Sequence, residues 1–314
     1  MRNLTLSHLR TLRGVAEAGS LVGAARAFGM TPAALTARVK ALEDGLGLEL
    51  FDRTAAGLRP NAAGLIALDA SRAVEAGVRT FLDVMRNVRS GHGGRLLIGA
   101  VSTAKYFFPR LIAGFAADRP KLELKLMIGN RDRIAEALRT SEIELALMGR
   151  PPGELPVEQH ALGDHPYVVI APVGHALVRE RRISRSRLVR ETFLLRELGS
   201  GTRSLFEVFL GDADVRTAPT VMTLESNETI KQAVIAGLGL ALISAHTVAA
   251  EVADGRLAVL DVVGPQIVRR WYIANRSDIP LSAAATAFRE FAIRRGRSYL
   301  PEIAPGPRRG RKSR

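Results

Sequence analysis

Gly19 and Gly29 punctuate the segment AEAGSLVGAARAFGMTPAALTARVK so closely that only short helices fit around them, and this constrains the fold more than any other feature. Leu9, Leu12 and Ala16 recur at helical spacing, predicting a first helix that stops near Gly19. Ser20 suits the N-cap of a second helix reaching Phe28, with Gly29 as its stop. Thr31 and Pro32 then read as N-cap and first position of a third helix through about Glu43. Short helices joined by a tight glycine turn predict a helix-turn-helix.

The third helix divides into two faces. Leu35, Val39 and Leu42 form the stripe that must be buried. Ala33, Thr36, Ala37 and Lys40 turn to the other side, with Thr31 at the helix start. Small residues let a helix sit deep in a major groove, where Ala and Thr touch thymine methyls and Thr hydrogen-bonds. Lys40 and the flanking Arg38 suit phosphates, which position a protein without reading sequence.

Beyond this helix lie the segments RVKALEDGLGLELFDR and LRPNAAG. With the glycine-punctuated entry they make residues 4–61 resemble the DNA-binding domain of LysR-type regulators. The resemblance implies a helix-turn-helix over 21–40 within a domain of residues 1–61. It implies a wing from Leu48–Thr54 with Gly57–Pro60, and Arg53 and Arg59 as backbone contacts. Pro32, Ala33 and Ala37 stand where the family often has Gln, Pro and Arg, so the base-contact pattern departs from the common one.

From Asn61 to about Ser90 the pattern predicts one helix roughly 40 Å long. Val74, Val78, Phe81, Met85 and Val88 form a short heptad stripe, opposite a charged face of Arg72, Glu75, Arg79, Asp83 and Arg86. In the family this linker helix, 62–90, dimerises, so a homodimer or homotetramer is expected, and paired half-sites on DNA with it.

Gly91, Gly93 and Gly94 around His92 predict a hinge into an effector domain, 91–300. Beyond it, apolar strands (LLIGAV, LELKLMIG, LALMG, YVVIA, FLLRE, VMTLES, LALIS, LAVLDV, VRRWYIA) alternate with helices, predicting an α/β domain with a mainly parallel sheet. Helices are expected from about Lys105 to Asp118, from Arg131 to Thr140 and near 184–191. Others should start at Thr202, Glu228 and Ser282. The order resembles the two-lobed, periplasmic-binding-protein-like effector domain of the same family, which implies one lobe from 94–162 and 268–300 and a second from 163–267.

Where strands end and helices begin, free N–H groups attract anions. Ser102, Thr103 and Lys105 follow the first strand. Thr202 and Arg203 open a helix after Gly199-Ser200-Gly201, and Asn227 opens another. Asn130, Arg131 and Arg150 close their strands with further donors. Ser, Thr and Asn also cap helices in such places, but several junctions with arginines added point to a phosphate or carboxylate effector. The segments GAVSTAKYFFP, IGNRDRI, LALMGRPP and FLLRELGSGTR resemble those of the regulators of Calvin-cycle carbon-fixation operons, the CbbR group of that family. This implies an activator of the RuBisCO operon that senses ribulose bisphosphate, phosphoenolpyruvate or NADPH. RNA polymerase is a further candidate partner.

Charge agrees with a DNA partner without establishing it. The net charge is +14, but the last residues, 294–314, hold eight of the basic groups against one acid. Residues 1–90 hold 12 basic against 8 acidic residues. The basic tail, 301–314, reads as disordered. The absence of cysteine excludes disulfides, iron–sulfur clusters and thiol catalysis. The six histidines have no metal-ligand spacing and no nucleophile elbow occurs, so neither a metal, a cofactor nor an enzymatic activity is expected. With no secretory signal and no apolar run long enough for a bilayer, the expected location is the cytoplasm, away from membranes. A LysR-type regulator of another metabolic operon and an architectural DNA-binding protein are the alternatives.

Overall fold

The computed structural model describes residues 4–54, 57–90, 94–211, 222–264 and 266–302, except the side chains at 79, 80, 83, 84 and 86–90. The chain divides into two compact units, Met1–Leu82 and Asp83–Arg314. The predicted hinge residues Gly91, His92 and Gly93, and the tail from residue 303, lie outside the described residues.

In the first unit three helices follow the capping residues. These are α1 (Leu6–Ala18), α2 (Leu21–Phe28) and α3 (Pro32–Leu46), begun by Thr5, Ser20 and Thr31 and ended by left-handed Gly19, Gly29 and Gly47. The third helix runs past the expected end at Glu43, because the residue able to adopt the left-handed stop is Gly47. Leu12, Val15, Ala24, Ala25, Leu35, Val39, Leu42 and Leu50 share one core. Strands β1 (Phe51–Thr54) and β2 (Gly57–Pro60) form an antiparallel hairpin. At Gly57 (φ +117°) a Cβ would lie 2.5 Å from the Gly19 carbonyl oxygen, and the neighbouring Leu58 N–H donates to that oxygen at 2.8 Å. Backbone thus fastens the hairpin to the α1–α2 turn, which only glycine permits here.

Helix α4 (Ala62–Ser90) starts at Asn61, whose Oδ1 accepts from the Gly64 N–H at 2.9 Å. Val74, Phe81 and Met85 are 49%, 60% and 45% exposed, and Val78 is half-buried. The Val88 side chain lies outside the described residues. On the opposite face part of the charged stripe is packed inward. Leu68, Ser71, Glu75 and Ala76 are buried against the domain, Glu75 pairs with Arg13 of α1, and Arg72 bonds Asp69 at 2.6 Å. The charges there anchor the helix to its own domain. Arg79, Asp83 and Arg86 lie outside the described side chains.

The second unit is built on one seven-stranded sheet, in the order β10-β6-β11-β5-β3-β4 with β9 also on β6. Its strands are β3 (Arg95–Val101), β4 (Glu123–Gly129), β5 (Leu145–Met148), β6 (Val157–Pro172), β9 (Ala241–Ser244), β10 (Leu257–Val259) and β11 (Ile267–Arg276). A separate parallel pair joins β7 (Leu195–Arg196) to β8 (Thr223–Leu224). Among the described residues only the β3–β4 and β3–β5 pairs of the large sheet are parallel; the other four are antiparallel. The expected mainly parallel sheet is therefore corrected to a mixed one. The cause is β6 and β11, two long strands that run antiparallel to each other through the middle of the sheet.

Four buried hydrophobic clusters sit on these strands, two of them larger than the rest. One joins Leu96, Phe107, Phe108, Phe115, Leu162, Trp271, Ile273 and Phe288, and defines the first lobe. The other joins Tyr167, Val169, Phe193, Phe206, Phe209 and Leu242, and belongs to the second. Helices cover both: α5 (Phe108–Ala116), α6 (Arg131–Arg139), α7 (Arg185–Leu188), α8 (Gly201–Leu210), α9 (Asn227–Ile235), α10 (Ala245–Ala253) and α11 (Ala283–Arg295). The helix expected from Lys105 is instead a 3-10 turn over Ser102–Tyr106 followed by α5, since Pro109 fits only a helix's first turn. The helix expected near 184–191 is a single turn.

Candidate functional site

On the first unit the exposed face of α3 presents Ala33, Thr36, Ala37 and Lys40, opposite fully buried Leu35, Val39 and Leu42. Thr31 caps the helix by accepting from the Ala34 N–H at 3.2 Å. The Thr36 hydroxyl donates to the Pro32 carbonyl at 2.8 Å. Its proton is thereby engaged within the helix, while the oxygen retains acceptor capacity. Arg38 is half-buried and donates to Ser7 Oγ at 2.9 Å, beside the start of α1.

The two hairpin arginines separate. Arg53 pairs across the hairpin with Leu58, and Arg59 with Asp52. Residues directly opposite share a face and neighbours alternate, so Arg53 and Arg59 point to opposite sides. Arg53 joins Thr36 and Lys40 around a hollow between α3 and the hairpin, where Glu43, Asp44, Glu49 and Asp52 also stand. These carboxylates, which sequence reading passed over, repel phosphates.

On the second unit the ends of β3, β4 and β5 meet the start of α8 around a cavity. Its lining includes Ser102, Thr103, Asn130, Arg131, Arg150 and Thr202, all anticipated from the sequence. It also includes Arg196, Arg269, His165 and Tyr167, which were not. Lys105, Arg203 and Asn227 do not line it. Lys105 lies 5.3 Å from the Tyr106 ring. Arg203 braces its own helix, bonding Glu207 at 2.7 Å and the Arg196 carbonyl at 3.3 Å. Asn227 is buried and accepts from Arg196 at 2.7 Å. Asn130 is engaged as the cap of α6.

Arg196 organises the cleft. Two of its nitrogens grip both oxygens of Glu197 at 2.7 Å, and its Nη1 reaches Asn227 and, in the other lobe, Ser102 Oγ at 3.2 Å. Further contacts outside the sheet join the lobes, among them the Asp132 N–H donating to the Gly199 carbonyl at 3.3 Å, the Tyr106 hydroxyl donating to Glu228 at 3.3 Å and Trp271 Nε1 donating to His246 Nδ1 at 3.1 Å. With these made, the free space is about 30 Å³, room for about two waters.

Four guanidinium groups surround this space. Arg196 is neutralised by Glu197, and Arg131 leans on Asp132 at 3.2 Å. Among the described residues no carboxylate pairs with Arg150 or Arg269. Burial, with repulsion from Arg150 and Arg131, holds Arg269 below the usual arginine range, although Tyr167 opposes the shift. Burial pushes the Tyr167 hydroxyl up to about 12, so it stays protonated. The arrangement concentrates positive charge around the cavity.

Behind the cavity His165 stacks on Trp271 with ring centroids 3.8 Å apart, and Trp271 Nε1 donates to His246 Nδ1 at 3.1 Å. Burial holds His246 down to about 4 and His165 well below the usual histidine range. The folded protein thus keeps both rings neutral, while the unfolded chain takes up protons below the ordinary value of 6.5. Stability is expected to fall as pH drops from that value toward about 4, by up to about 1.4 kcal/mol per pH unit for each histidine. Urea unfolding at pH 7 and pH 5 measures this. His246→Gln should flatten the dependence, and an unchanged slope in that variant would show that His246 contributes nothing to it.

Residues 6–65 match the family model "Bacterial regulatory helix-turn-helix protein, lysR family", and residues 89–297 match "LysR substrate binding domain". An HTH-type transcriptional regulator, CbbR, of Sinorhizobium medicae (strain WSM419) is 47% identical over 304 residues, spanning 97% of each chain. The RuBisCO operon transcriptional regulator of Allochromatium vinosum is 39% identical, covering 93% of this chain and 96% of its own. Among solved structures, the regulatory domain of Synechocystis PCC6803 CcmR in complex with 2-PG matches with TM-score 0.58 and 34% identity. That match covers 64% of this chain and 96% of the CcmR chain.

Proposed function

The chain belongs to the LysR family of transcriptional regulators, and from that premise we propose that it activates a carbon-fixation operon, the one encoding RuBisCO, in response to a small phosphorylated metabolite. The observation that carries the metabolite's class is the cavity at which Arg131, Arg150, Arg196 and Arg269 converge beside the starts of two helices. The CbbR relatives and the CcmR domain with its phosphorylated ligand, 2-phosphoglycolate, support the same reading. A compact cleft favours 2-phosphoglycolate, phosphoenolpyruvate or ribulose bisphosphate over NADPH. The exposed α4 stripe is the dimerisation surface, and the α3 face reads double-stranded DNA in the cytoplasm, with RNA polymerase as a further partner. Regulation of another metabolic operon by the same machinery is the second reading. An architectural role is disfavoured because a charged, two-lobed cavity has no use in it.

Genome-wide binding with the purified protein is the test: a few sites, one of them upstream of the RuBisCO genes, is the expected result. Broad coverage overturns the regulator reading, and sites elsewhere overturn the target. On that operator Ala37→Glu is expected to weaken binding by about 1–3 kcal/mol, by placing a carboxylate at the groove floor. Lys40→Ala should chiefly lower the salt dependence. Mobility-shift titrations across salt concentrations separate the two effects. Unchanged affinity for Ala37→Glu would move the reading surface off α3.

A further inference from the structure

The cavity wall contains a buried polar atom without a partner. His165 is 1% exposed and lines the cavity, and its Nδ1 has no hydrogen-bond partner among the described residues. Burying a polar nitrogen unsatisfied is costly, so such an atom calls for an explanation. Its neighbour on the wall is Gly149, where a Cβ would stand 3.1 Å from Nδ1. The missing side chain there leaves room beside the nitrogen.

The far side of the ring indicates which proton Nδ1 carries. His165 Nε2 lies 2.9 Å from Ser244 Oγ, and the Ser244 side chain is fully buried. Among the described residues that hydroxyl has no other acceptor. If Ser244 donates to Nε2, every hydrogen of the pair is used and the ring proton sits on Nδ1, at the cavity. The opposite tautomer would strand the Ser244 proton in the interior and turn a bare lone pair toward the cleft. The stack on Trp271 at 3.8 Å and the Tyr167 ring at 4.5 Å fix the orientation of the ring, so that Nδ1 cannot turn elsewhere.

We propose that His165 is a ligand-binding residue of this cleft, its Nδ1–H donating to an anionic oxygen of the bound phosphate or carboxylate. The proposal rests on the reading of the cleft as the effector site. Arg131, Arg150 and Arg269 supply charge from mobile side chains, whereas His165 supplies one neutral donor at a fixed point. Depression of its protonation by burial and by the nearby Arg269 keeps the donor neutral throughout the physiological range. A fixed neutral donor rewards a ligand whose oxygen falls at one position, so His165 discriminates among oxyanions that the arginines alone would accept.

Calorimetric titration of the full-length protein with 2-phosphoglycolate and with phosphoenolpyruvate tests this. His165→Phe retains the stack on Trp271 but removes the donor. The better-bound ligand is expected to weaken about tenfold or more, the range of a hydrogen bond to a charged group. His165→Asn puts an amide N–H near the position of Nδ1 and should stay within about threefold of wild type. Equal weakening in both variants, or none in His165→Phe, overturns the donor role. Arg269→Gln tests the cleft itself. If it weakens the ligand while His165→Phe does not, the cleft stands and this proposal falls; if neither changes affinity, the effector site lies elsewhere. Independently of any variant's folding, long-range ¹H–¹⁵N spectra of the wild-type imidazoles should show the His165 proton on Nδ1 with 2-phosphoglycolate bound. A proton on Nε2 overturns the proposal.

Discussion

Phe81→Asp is expected to abolish tight operator binding while leaving the first unit folded. In a single chain the side chain is 60% exposed, and Val74 and Met85 beside it on the helix are 49% and 45% exposed. An aspartate there costs an isolated chain almost nothing, because it stays in water. In a seam between two α4 helices it would be an unpaired charge buried among apolar side chains. Without the pair, each helix-turn-helix binds its half-site alone. The lost effective concentration is on the order of 10²–10⁴ in affinity. Light scattering should report monomers, and mobility shifts should require correspondingly more protein. Wild-type assembly in this variant would place the dimer interface on another surface.

The second large effect is expected at Arg196, whose side chain is 2% exposed and touches Glu197, Asn227 and Ser102. Arg196→Met keeps volume but leaves the Glu197 carboxylate without its cation and the Asn227 carbonyl oxygen without its donor. Removing one member of a buried ion pair costs about 3–5 kcal/mol. The low end applies here, since the Glu197 side chain retains 20% exposure. Adding Glu197→Gln to the same chain removes the stranded charge and should restore part of the loss. Because Arg196 also ties the second lobe to Ser102, the single variant should lose the response to effector while still binding the operator. Urea unfolding of wild type, the single and the double variant measures the stability part. A midpoint unchanged in Arg196→Met would show that the network contributes no stability.

What could be read from the sequence divides by the range of the interactions involved. The caps and stops of α1, α2 and α3 are local, so with the exception of Thr5 and Gly47 they were placed from neighbours in the chain, and the buried stripe of α3 followed from its period. The burial of Glu75 on α4 was not legible, because its partner Arg13 lies 62 residues away. A heptad pattern does not say which side a domain covers. Arg203 drew attention by its place after a glycine-rich turn, yet it faces Glu207. Arg196 was overlooked inside the apolar run FLLRE, where it read as a strand's polar interruption. Strand β6 was recognised only in YVVIA, because His160, Gly163, Asp164 and Pro166 break the alternation of its first half. Those residues mark the passage of the strand from one lobe to the other, information that no local pattern carries. The parallel expectation failed for the same reason, since β11, the partner of β6, comes about a hundred residues later in the chain.

The position of β11 between β6 and β5 sets an order of events on the ribosome. The first lobe begins with β3 but is closed by β11 and α11, only after the second lobe's residues have been translated. Until then β5 has no neighbour on its outer side, and the pocket that will hold Trp271 and Phe288 is empty. At ordinary elongation rates the intervening residues, 163–267, take about 5–20 s to synthesise. Throughout that interval the nascent chain carries a finished DNA-binding domain ahead of a half-built sheet with an open apolar face. An unpaired strand edge of that kind is a target for chaperones and for aggregation. A pause in translation just after residue 276, or a truncation before it, is therefore more damaging to yield than one anywhere within the second lobe's surface loops.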